Sequence, residues 1–394
     1  MLKALLRRVW SCLPRAARRR AFVAANAWRA PRPGAWTAAT PLVIGGVFGS
    51  ATGLGESARM NVAGAHRAGL PFATVDLTGS LLGEADFPFD GPAGDAPPAG
   101  PGSLVLHVSG PFIPYALARC GQQVVKGKKV VGFWHWELPS LPADWAVGRR
   151  FVHEVWVPSR FCAEAVGRDG GVPVRVIPHP VSVDGVRRRP SGVFTVLSMF
   201  NMASGFQRKN PLGSIGAFLR AFGDDPAARL ILKILNPDAY PAGMAALREA
   251  AGGRANIRFV GEPVPRRTVI EMIAAADAVL SLHRSEGFGL LAAEAMLIGV
   301  PVIATDWSAT TDFVTAETGL PIPYRLVPAV DPQGHYHFPA QRWAEPDLDA
   351  AAAALRKLRD DPGFADALAA RGRTAVAEAF SADRYARRLA EIVV

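Results

Sequence analysis

Short apolar runs alternate with helix-like segments twice along this chain. The first series contains PLVIGG, FATVDL, SLVLHVS, KVVGFWHW, EVWVPS and VRVIPHP. The second begins after HPVSVDGVRRRPSG and contains VFTVLSMF, RLILKIL, NIRFVG, AVLSLH and PVIATD. Because strands that alternate with helices form parallel sheets, the sequence predicts two open α/β domains. Such sheets bind ligands beyond the carboxyl ends of their strands, so the expected site is the cleft between the domains.

The domain boundaries follow from this pattern and from length. At 394 residues the chain is too long for one ordinary core. The break near residues 180–192 is the expected linker. We therefore predict a leader over residues 1–38, an N-terminal domain over residues 39–185 and a C-terminal domain with closing helices over residues 186–394.

Most of the net charge of +10 belongs to the leader, which carries nine cations and no acid before residue 33. Its apolar runs are too short for a secretory signal or a membrane span. Two interpretations stay open: an amphipathic helix that lies on an anionic inner leaflet through residues 1–36, or an N-terminal helix that is frayed or packs on the body. No basic patch interleaved with aromatic residues recurs in the body, so we expect no nucleic-acid partner. Three distant cysteines without metal-ligand spacing indicate reduced thiols and a cytoplasmic protein.

The most informative stretch is SLHRSEGFGLLAAE, residues 281–294. A strand ends in a loop with two glycines, and a helix then begins. At 100° per residue the eight steps from Glu286 to Glu294 cannot keep both carboxylates on one helical face. Glu286 therefore belongs to the loop, and Glu294 to the second turn of the helix. Glycines allow close approach of a ligand, and the free N–H groups at the helix start favour an anion.

This stretch resembles the retaining GT-B glycosyltransferases of family four, which include bacterial exopolysaccharide and lipopolysaccharide sugar transferases. Glu286 and Glu294 match the E-x7-E motif of that family, within EGFGL and before GVPVIAT. The resemblance implies two Rossmann-like domains that face a central cleft. It also implies that the second domain binds a nucleotide-sugar. The residues expected to contact this donor are Gly53, Gly55, Arg208, Lys209, Glu286, Gly287, Phe288, Gly289, Leu290 and Glu294.

A second match to the same family is Lys209-Asn210 in SGFQRKNPLG. The resemblance implies that Lys209 contacts the donor diphosphate and neutralises the charge that grows on the leaving nucleotide. Many members carry an arginine several residues before this lysine, whereas this chain offers Arg208 directly beside it. The alternative for both cations is a solvated helix start.

The first domain offers candidate contacts for the transferred sugar and the acceptor. His107 ends the strand LVLH, and His135, Trp136 and Glu137 follow the strand KVVGF. We predict that His107, together with Glu286 and Lys209, belongs to the catalytic group. His135, Trp136 and Glu137 are expected to bind the acceptor. The alternative is that the tryptophan is a core residue and each histidine a satisfied polar residue.

The glycine loop GVFGSATGLGESAR also contains a weaker pattern, the dinucleotide fingerprint Gly53-x-Gly55-x-x-Ala58 with Asp76 about 20 residues later. In a dinucleotide fold the strand turns directly into the helix, but here several residues separate the strand from Gly53. The loop therefore fits a phosphate-facing segment that reaches across the cleft to a sugar nucleotide. Asp76 then becomes an ordinary acid at a strand end.

Two further patterns suggest metal but have simpler explanations. Asp347-Leu-Asp349 matches the D-x-D of metal-dependent transferases, yet it starts a helix after Pro346 and is explained as a cap. His335 and His337 lack a neighbouring acid or cysteine, which favours a surface loop. We expect neither a metal nor another cofactor.

The predicted function is transfer of a hexose, best assigned as mannose, from a nucleotide-sugar to a saccharide or lipid-linked saccharide acceptor in cell-surface polysaccharide synthesis. Retention of the anomeric configuration is implied by the resemblance. The alternatives are an NAD-dependent oxidoreductase built on the glycine loop, a sugar-nucleotide epimerase of the same fold, and a non-catalytic membrane-associated scaffold that retains the fold. The expected location is the cytoplasm, with the leader able to hold the protein on the inner face of the plasma membrane.

Overall fold

The computed structural model describes residues 15–37, 39–82, 89, 91, 97–183, 185–190, 192–336, 338 and 340–393. Two parallel six-stranded sheets organise these residues, as the alternating pattern predicts. The first has the strand order β2-β1-β3-β4-β5-β6, and the second has the order β12-β11-β10-β7-β8-β9. The predicted α/β fold with two Rossmann-like domains is therefore confirmed.

The first sheet lies among the helices of the first half of the chain. Its strands are β1 (Leu42–Gly46), β2 (Phe72–Asp76), β3 (Gly102–His107), β4 (Lys128–Phe133), β5 (Glu154–Val157) and β6 (Val174–Val176). The helices are α1 (Arg15–Arg29), α2 (Gly53–Arg67), α3 (Thr78–Leu81), α4 (Ile113–Cys120), α5 (Gln122–Val125), α6 (Ala146–Arg149) and α7 (Arg160–Gly167). Successive residues of β1 point to opposite faces, so that Val43 joins one apolar cluster and Ile44 the other. Both faces of this sheet are thus covered, which is typical of parallel sheets.

The second sheet repeats this organisation. Its strands are β7 (Phe194–Asn201), β8 (Ala228–Leu235), β9 (Ile257–Val260), β10 (Ala278–Ser281), β11 (Val302–Thr305) and β12 (Leu320–Ile322). Its helices are α8 (Phe206–Lys209), α9 (Pro211–Phe222), α10 (Pro241–Ala251), α11 (Arg266–Ala274) and α12 (Leu290–Ile298), followed by α13 (Leu348–Asp360), α14 (Pro362–Ala379) and α15 (Ala382–Val393).

An antiparallel hairpin stands apart from both sheets. It pairs β13 (Tyr324–Pro328) with β14 (Arg342–Pro346). The sequence pattern does not predict it, because β13 is largely exposed and shows no clean apolar alternation. The connection between its strands reaches back to the first domain, where Tyr336 and Trp343 join an apolar cluster of that domain.

Both ends of the described chain pack on the first domain. In α1, the ring of Phe22 lies 6.0 Å from that of Phe112 and 5.3 Å from that of Tyr115. This part of the predicted leader is therefore a packed helix, whereas the amphipathic pattern of residues 2–13 lies outside the described residues. Helix α15 buries Tyr385 and Leu389 in an apolar cluster of the first sheet. The helices that close the chain thus do not all belong to the second domain, and the boundary at 185/186 stays a prediction.

The chain crosses between the domains twice, and the two crossings touch. The first follows β6, and the second joins α14 to α15. The N–H of Val181 in the first crossing donates to the carbonyl of Phe380 in the second, at 2.9 Å.

Candidate active site

A cleft of about 1190 Å³ separates the two sheets at the carboxyl ends of their strands. The first domain contributes the loop after β1 and the segment after β4, and the second contributes the loop after β10. Helix α1 adds Arg20, and the hairpin connection adds Tyr336. A cleft thus lies between the domains, where the sequence predicts the site.

The carboxylate of Glu286 lies between two cations in this cleft. Lys209 Nζ donates to Oε1 in a short ion pair, and Arg208 Nη1 lies 3.3 Å from Oε2. All three side chains line the cleft. The structure therefore brings Glu286 together with two predicted site residues that lie 77 and 78 positions before it in sequence.

The charges of Glu286, Lys209 and Arg208 affect one another's ionisation. Burial opposes ionisation of Glu286, but the charges of Lys209 and Arg208 outweigh it and lower its pKa to about 2. Burial lowers the pKa of Lys209 despite the neighbouring carboxylate. An anion that enters the cleft would meet two cations whose charge is only partly neutralised by one carboxylate.

Local backbone structure explains why Lys209 is followed by asparagine. Helix α8 ends at Lys209, and Asn210 has a left-handed conformation with φ of +52°, which asparagine tolerates better than most residues. Its Oδ1 caps α9 by accepting from the N–H of Gly213 at 3.3 Å. Its Nδ2 donates to the carbonyl of Leu282 at 2.9 Å, which ties the start of α9 to the chain just before the Glu286 loop.

The loop around Glu286 is held by both domains. The carbonyl of Gly287 accepts from Ser159 Oγ of the first domain at 2.9 Å. The ring of Phe288 packs edge-on against that of His179 at 5.0 Å. Gly289 precedes α12 with φ of +92°, and a Cβ there would lie 2.5 Å from Thr310 Cγ2, so this position requires glycine. Gly287, Phe288, Gly289 and Leu290 all line the cleft, and their contact with a donor stays a prediction.

The family resemblance implies that Glu294 contacts the ribose of the donor, and in the structure this residue is buried. Glu294 is 2% exposed, and its carboxylate accepts a hydrogen bond from Arg266 Nη2 of α11, with which it forms an ion pair. Burial raises the pKa of Glu294, and the charge of Arg266 opposes that rise. Glu294 is not among the residues that line the cleft. The ribose contact stays a prediction, and it would compete with Arg266.

The glycine loop has the length that the sequence indicates. Six residues separate the end of β1 from Gly53, where α2 begins, and Thr52 Oγ1 caps that helix. Gly53 lines the cleft, whereas Gly55 does not. A Cβ on Gly55 would lie 2.2 Å from the carbonyl oxygen of Ser50. Gly55 therefore serves close packing of the loop on the helix.

Asp76 stabilises the glycine loop through hydrogen bonds to Thr78. Its Oδ1 accepts from the N–H of Thr78 at 2.9 Å and from its hydroxyl at 2.5 Å. Thr78 Oγ1 in turn accepts from the N–H of Gly49 at 2.9 Å. Asp76 is thus a strand-end acid that orders the loop, as predicted.

The predicted role of His107 in sugar contact does not match its position. His107 is 1% exposed, stacks on Phe133 with ring centroids 4.6 Å apart, and does not line the cleft. Its Nδ1 is 2.9 Å from Ser57 Oγ. Burial lowers the pKa of His107 well below its ordinary value. It is therefore a neutral residue behind the cleft wall, and contact with a sugar would require its surroundings to move.

His135 is the predicted histidine that does line the cleft, and it has an unpredicted partner. Its Nε2 lies 2.8 Å from Nε2 of His179, which also lines the cleft. Burial lowers the pKa of His135 to about 4, so the pair is neutral near pH 7. The sequence signal for His179 is its place in IPHP directly after β6, at the same sheet edge as His135.

Trp136 and Glu137 border the cleft in different ways. The ring of Trp136 is largely buried against Trp145, with centroids 5.2 Å apart, so the core interpretation applies to most of it. Glu137 lines the cleft, and its Oε2 accepts from the hydroxyl of Tyr336 at 3.0 Å. Sequence reasoning missed Tyr336, since no pattern links residue 336 to the first domain.

Of the two metal-like patterns, the aspartate pattern has a structural explanation, and the histidine pattern is only partly described. Asp347 Oδ1 caps α13 by accepting from the N–H groups of Asp349 and Ala350, at 2.9 and 3.0 Å. His335 lines the cleft, and His337 lies outside the described residues. Within the described part of the chain, no group of three or more His, Cys, Asp or Glu side chains could hold a metal ion.

Two parallel six-stranded sheets that face a cleft are the architecture of the GT-B class of fold. Residues 226–323 match the family described as glycosyl transferases group 1. The chain is thus similar to GT-B glycosyltransferases, as the E-x7-E stretch predicts. The match covers β8 to β12 and ends just before the hairpin β13–β14.

Curated relatives and solved structures agree with this class. The chain is 35% identical over 111 residues to the D-inositol 3-phosphate glycosyltransferase of Jonesia denitrificans, which covers 27% of this chain and 26% of that protein. It is 33% identical over 149 residues to the lipopolysaccharide core biosynthesis mannosyltransferase LpsB of Rhizobium meliloti, covering 37% of this chain and 36% of that protein. The chain thus spans only about a quarter to a third of these two relatives.

Similarity of fold extends over most of the chain. The structure of Anabaena HepE in complex with UDP and glucose matches with a TM-score of 0.63 and 16% identity, over 89% of this chain and 98% of that one. Sucrose-phosphate synthase from Thermosynechococcus elongatus matches with the same TM-score, identity and coverage. The predicted GT-B architecture is therefore confirmed.

Proposed function

We propose that this protein is a retaining glycosyltransferase that moves a hexose from a nucleotide-sugar to a saccharide or lipid-linked saccharide acceptor. The observation that carries the proposal is the placement of Lys209 and Arg208 on the two oxygens of Glu286, at the cleft between the domains. A donor diphosphate in the cleft would replace part of this ion pairing. The cations would then stabilise the negative charge that develops on the leaving nucleotide.

The proposed chemistry needs little from the protein besides position and charge. The bond between the anomeric carbon and the diphosphate oxygen breaks, and the acceptor oxygen bonds the same face of the sugar. The acceptor proton passes to the leaving phosphate, as the family resemblance implies. Glu286 suits binding of sugar hydroxyls, because its low pKa keeps it an ionised hydrogen-bond acceptor.

Mannose is our proposed sugar, and cell-surface polysaccharide is the proposed product class. The partial similarity to a lipopolysaccharide core mannosyltransferase supports both assignments. HepE was crystallised with UDP and glucose, so UDP-glucose is the competing donor.

A screen of sugar nucleotides tests the proposal. The purified chain is incubated with GDP-mannose, UDP-glucose, UDP-GlcNAc and NAD, and donor hydrolysis and thermal stabilisation are measured. We expect one sugar nucleotide to stabilise the protein and to be hydrolysed slowly. Glu294→Ala is expected to weaken donor binding, while Glu249→Ala, an exposed control on α10, leaves it unchanged.

The same screen separates the alternatives. Stabilisation by NAD and by no sugar nucleotide would contradict a transferase and favour an oxidoreductase. Conversion of a sugar nucleotide to its epimer without release of the nucleotide would favour an epimerase. The anomeric configuration of the first transfer product, read by NMR, tests retention.

We also propose a cytoplasmic protein that lies on the inner face of the plasma membrane through residues 1–36. None of the described helices combines the length and apolar character needed to span a membrane. Trp28 on α1 is 85% exposed beside Arg29, with Arg32 nearby in sequence. Exposed tryptophan next to arginine suits an anionic membrane surface.

Sedimentation with vesicles tests this part. Phosphatidylglycerol vesicles should retain the protein, and neutral phosphatidylcholine vesicles should not. Because α1 packs on the first domain, the informative deletion removes residues 1–14 and is combined with Trp28→Ser. Unchanged sedimentation of that variant would contradict the membrane contact.

A further inference from the structure

The connection between β13 and β14 forms one side of the cleft, although it follows the donor-domain strands in sequence. Asp331 orders it, with Oδ2 accepting from the N–H groups of His335 and Tyr336 at 2.7 and 3.0 Å. Gln333 fixes it to the second domain by donating from Nε2 to the carbonyl of Met202 at 3.0 Å. We call residues 331–336 the Tyr336 loop.

The Tyr336 loop meets the first domain at Glu137. The hydroxyl of Tyr336 donates to Glu137 Oε2 at 3.0 Å. Burial first, and the charge of Glu137 in addition, raise the pKa of Tyr336, so its hydroxyl remains a donor at any working pH. A second link is made by Gln341, whose Nε2 donates to the carbonyl of Ser140 at 2.8 Å.

Tyr336 also touches the donor side of the cleft. The guanidinium of Arg208 lies 5.2 Å from the centre of the Tyr336 ring, within the range of a cation–π interaction. Arg208 in turn pairs with Glu286. One side chain that is 8% exposed thus contacts both the carboxylate expected at the acceptor and a cation expected at the diphosphate.

We propose that Tyr336 is a positioning residue that holds the Glu137 carboxylate toward an acceptor sugar hydroxyl, so that the Tyr336 loop selects for a saccharide acceptor over water. The inference rests on the proposed transferase function and adds a role for a hairpin that lies beyond the matched family region. With Oε2 bonded to the tyrosine hydroxyl, Oε1 remains able to accept a hydrogen bond from a ligand. Among the described residues, none donates a hydrogen bond to Oε1 of Glu137.

The selectivity proposed for Glu137 follows from the entropy that its carboxylate loses when a hydroxyl binds. A carboxylate held in one orientation loses little entropy when a hydroxyl binds it, whereas a freely rotating carboxylate loses more. Water can satisfy a mobile carboxylate from many directions, but a saccharide hydroxyl has a fixed position relative to its ring. Orientation of Glu137 therefore favours the saccharide.

The test compares transfer with hydrolysis in the full chain. The donor is the sugar nucleotide that the screen identifies, and the acceptor probes are n-octyl α-D-mannoside and n-octyl α-D-glucoside. Tyr336→Phe removes only the hydroxyl and keeps the ring over Arg208. We expect the ratio of transfer to hydrolysis to fall about tenfold, chiefly through a higher acceptor KM, because a hydrogen bond to a charged group is lost. The donor KM should change much less.

Matched variants make the result specific. Tyr324→Phe removes a hydroxyl from β13 of the same hairpin, outside the cleft lining, and should leave the ratio unchanged. Glu137→Gln should lower the ratio, and adding Tyr336→Phe to it should lower it little further, since both act through one contact. Thermal unfolding of each variant checks its fold.

The outcomes distinguish this inference from the proposed function. If the wild-type chain turns over no sugar nucleotide, the proposed function fails. If it transfers sugar to the octyl glycosides but Tyr336→Phe leaves the ratio unchanged, or raises the donor and acceptor KM equally, only the role of Tyr336 is overturned.

Discussion

At the scale of single residues, the main feature of the cleft is the buried carboxylate of Glu286, which forms ion pairs with two cations. Lys209 and Arg208 come from the end of α8, and Glu286 comes from the loop after β10. An unpaired buried charge is costly, so removing one member of this group affects stability as well as ligand binding. Activity and stability must therefore be measured together for each variant.

Lys209→Met should lower the rate of sugar transfer by about 100-fold, because a preorganised charge on the developing diphosphate anion is lost. Arg208 remains to pair with Glu286, so the fold should survive. The measurement is kcat with a saturating donor. Lys126→Met, at an exposed lysine of the first domain, is the control. Equal rates for both variants would contradict the assigned role of Lys209.

Glu286 should make stability depend on pH. Its pKa falls from 4.5 to about 2 on folding. A lowered folded pKa stabilises the protein above the unfolded value, and this contribution, of order 3 kcal/mol, is lost as pH falls from about 4.5 toward 2. The destabilisation caused by Glu286→Gln should thus be full near neutral pH and shrink below about pH 4.5.

Urea unfolding of wild type and Glu286→Gln at a series of pH values measures this difference. Glu249→Gln, at an exposed position, serves as the control. A destabilisation that stays constant down to about pH 3 would show that the Glu286 carboxylate does not carry the predicted pH dependence.

Sequence reasoning located the residues that share a local motif with their neighbours. Short sequence patterns next to helix starts contain Glu286, the two glycines after it, and Lys209. The positions of these residues therefore follow from local structure. The burial of His107 could not be predicted, because a strand end shows which sheet edge a side chain occupies but not how deeply packing buries it. Tyr336 was missed because its partner Glu137 is 199 residues away.

At the scale of elements, the glycine loop before α2 allows a matched pair of substitutions. Gly55→Ala should destabilise the protein by about 1–3 kcal/mol, since its Cβ would overlap the carbonyl oxygen of Ser50. Gly53→Ala should change stability little, because a Cβ there meets no atom within 4 Å. Thermal unfolding compares the two. Similar losses for both would contradict the assignment of a packing role to Gly55 alone.

The same Gly53→Ala variant tests whether donor phosphates bind at the glycine loop. Gly53 lines the cleft, so a donor phosphate that approaches the backbone closely would meet the added methyl group. We expect the donor KM to rise with little change in stability. An unchanged donor KM would indicate that phosphates bind away from this loop.

The elements themselves were largely predictable, because buried parallel strands are continuous apolar runs. The eleven predicted runs all contain strands of the two sheets. Strand β12 was not recognised: it has three residues, one of them Pro321, and it forms a sheet edge, where proline is tolerated. Hairpin β13–β14 has too little apolar alternation to be recognised, since its burial comes from the neighbouring domain.

At the scale of the whole molecule, α15 makes the stability of the first domain depend on the end of the described chain. Leu389→Ala should cost about 2–5 kcal/mol, because Leu389 is buried against the first sheet. Arg387→Ala, exposed on the same helix, should cost little. Denaturant unfolding measures both. A small effect of Leu389→Ala would mean that α15 docks weakly.

The two hydrogen-bonded crossings between the domains restrict how the cleft can open. A single connecting strand permits bending, twisting and sliding of one domain on the other. Because a backbone hydrogen bond between Val181 and Phe380 holds the two crossings side by side, we expect rotation about one axis to be the easiest motion, since twisting or sliding would pull one crossing along the other. We therefore expect the cleft to open and close along a single path, with Glu286 and Glu137 approaching each other in the same register each time it closes.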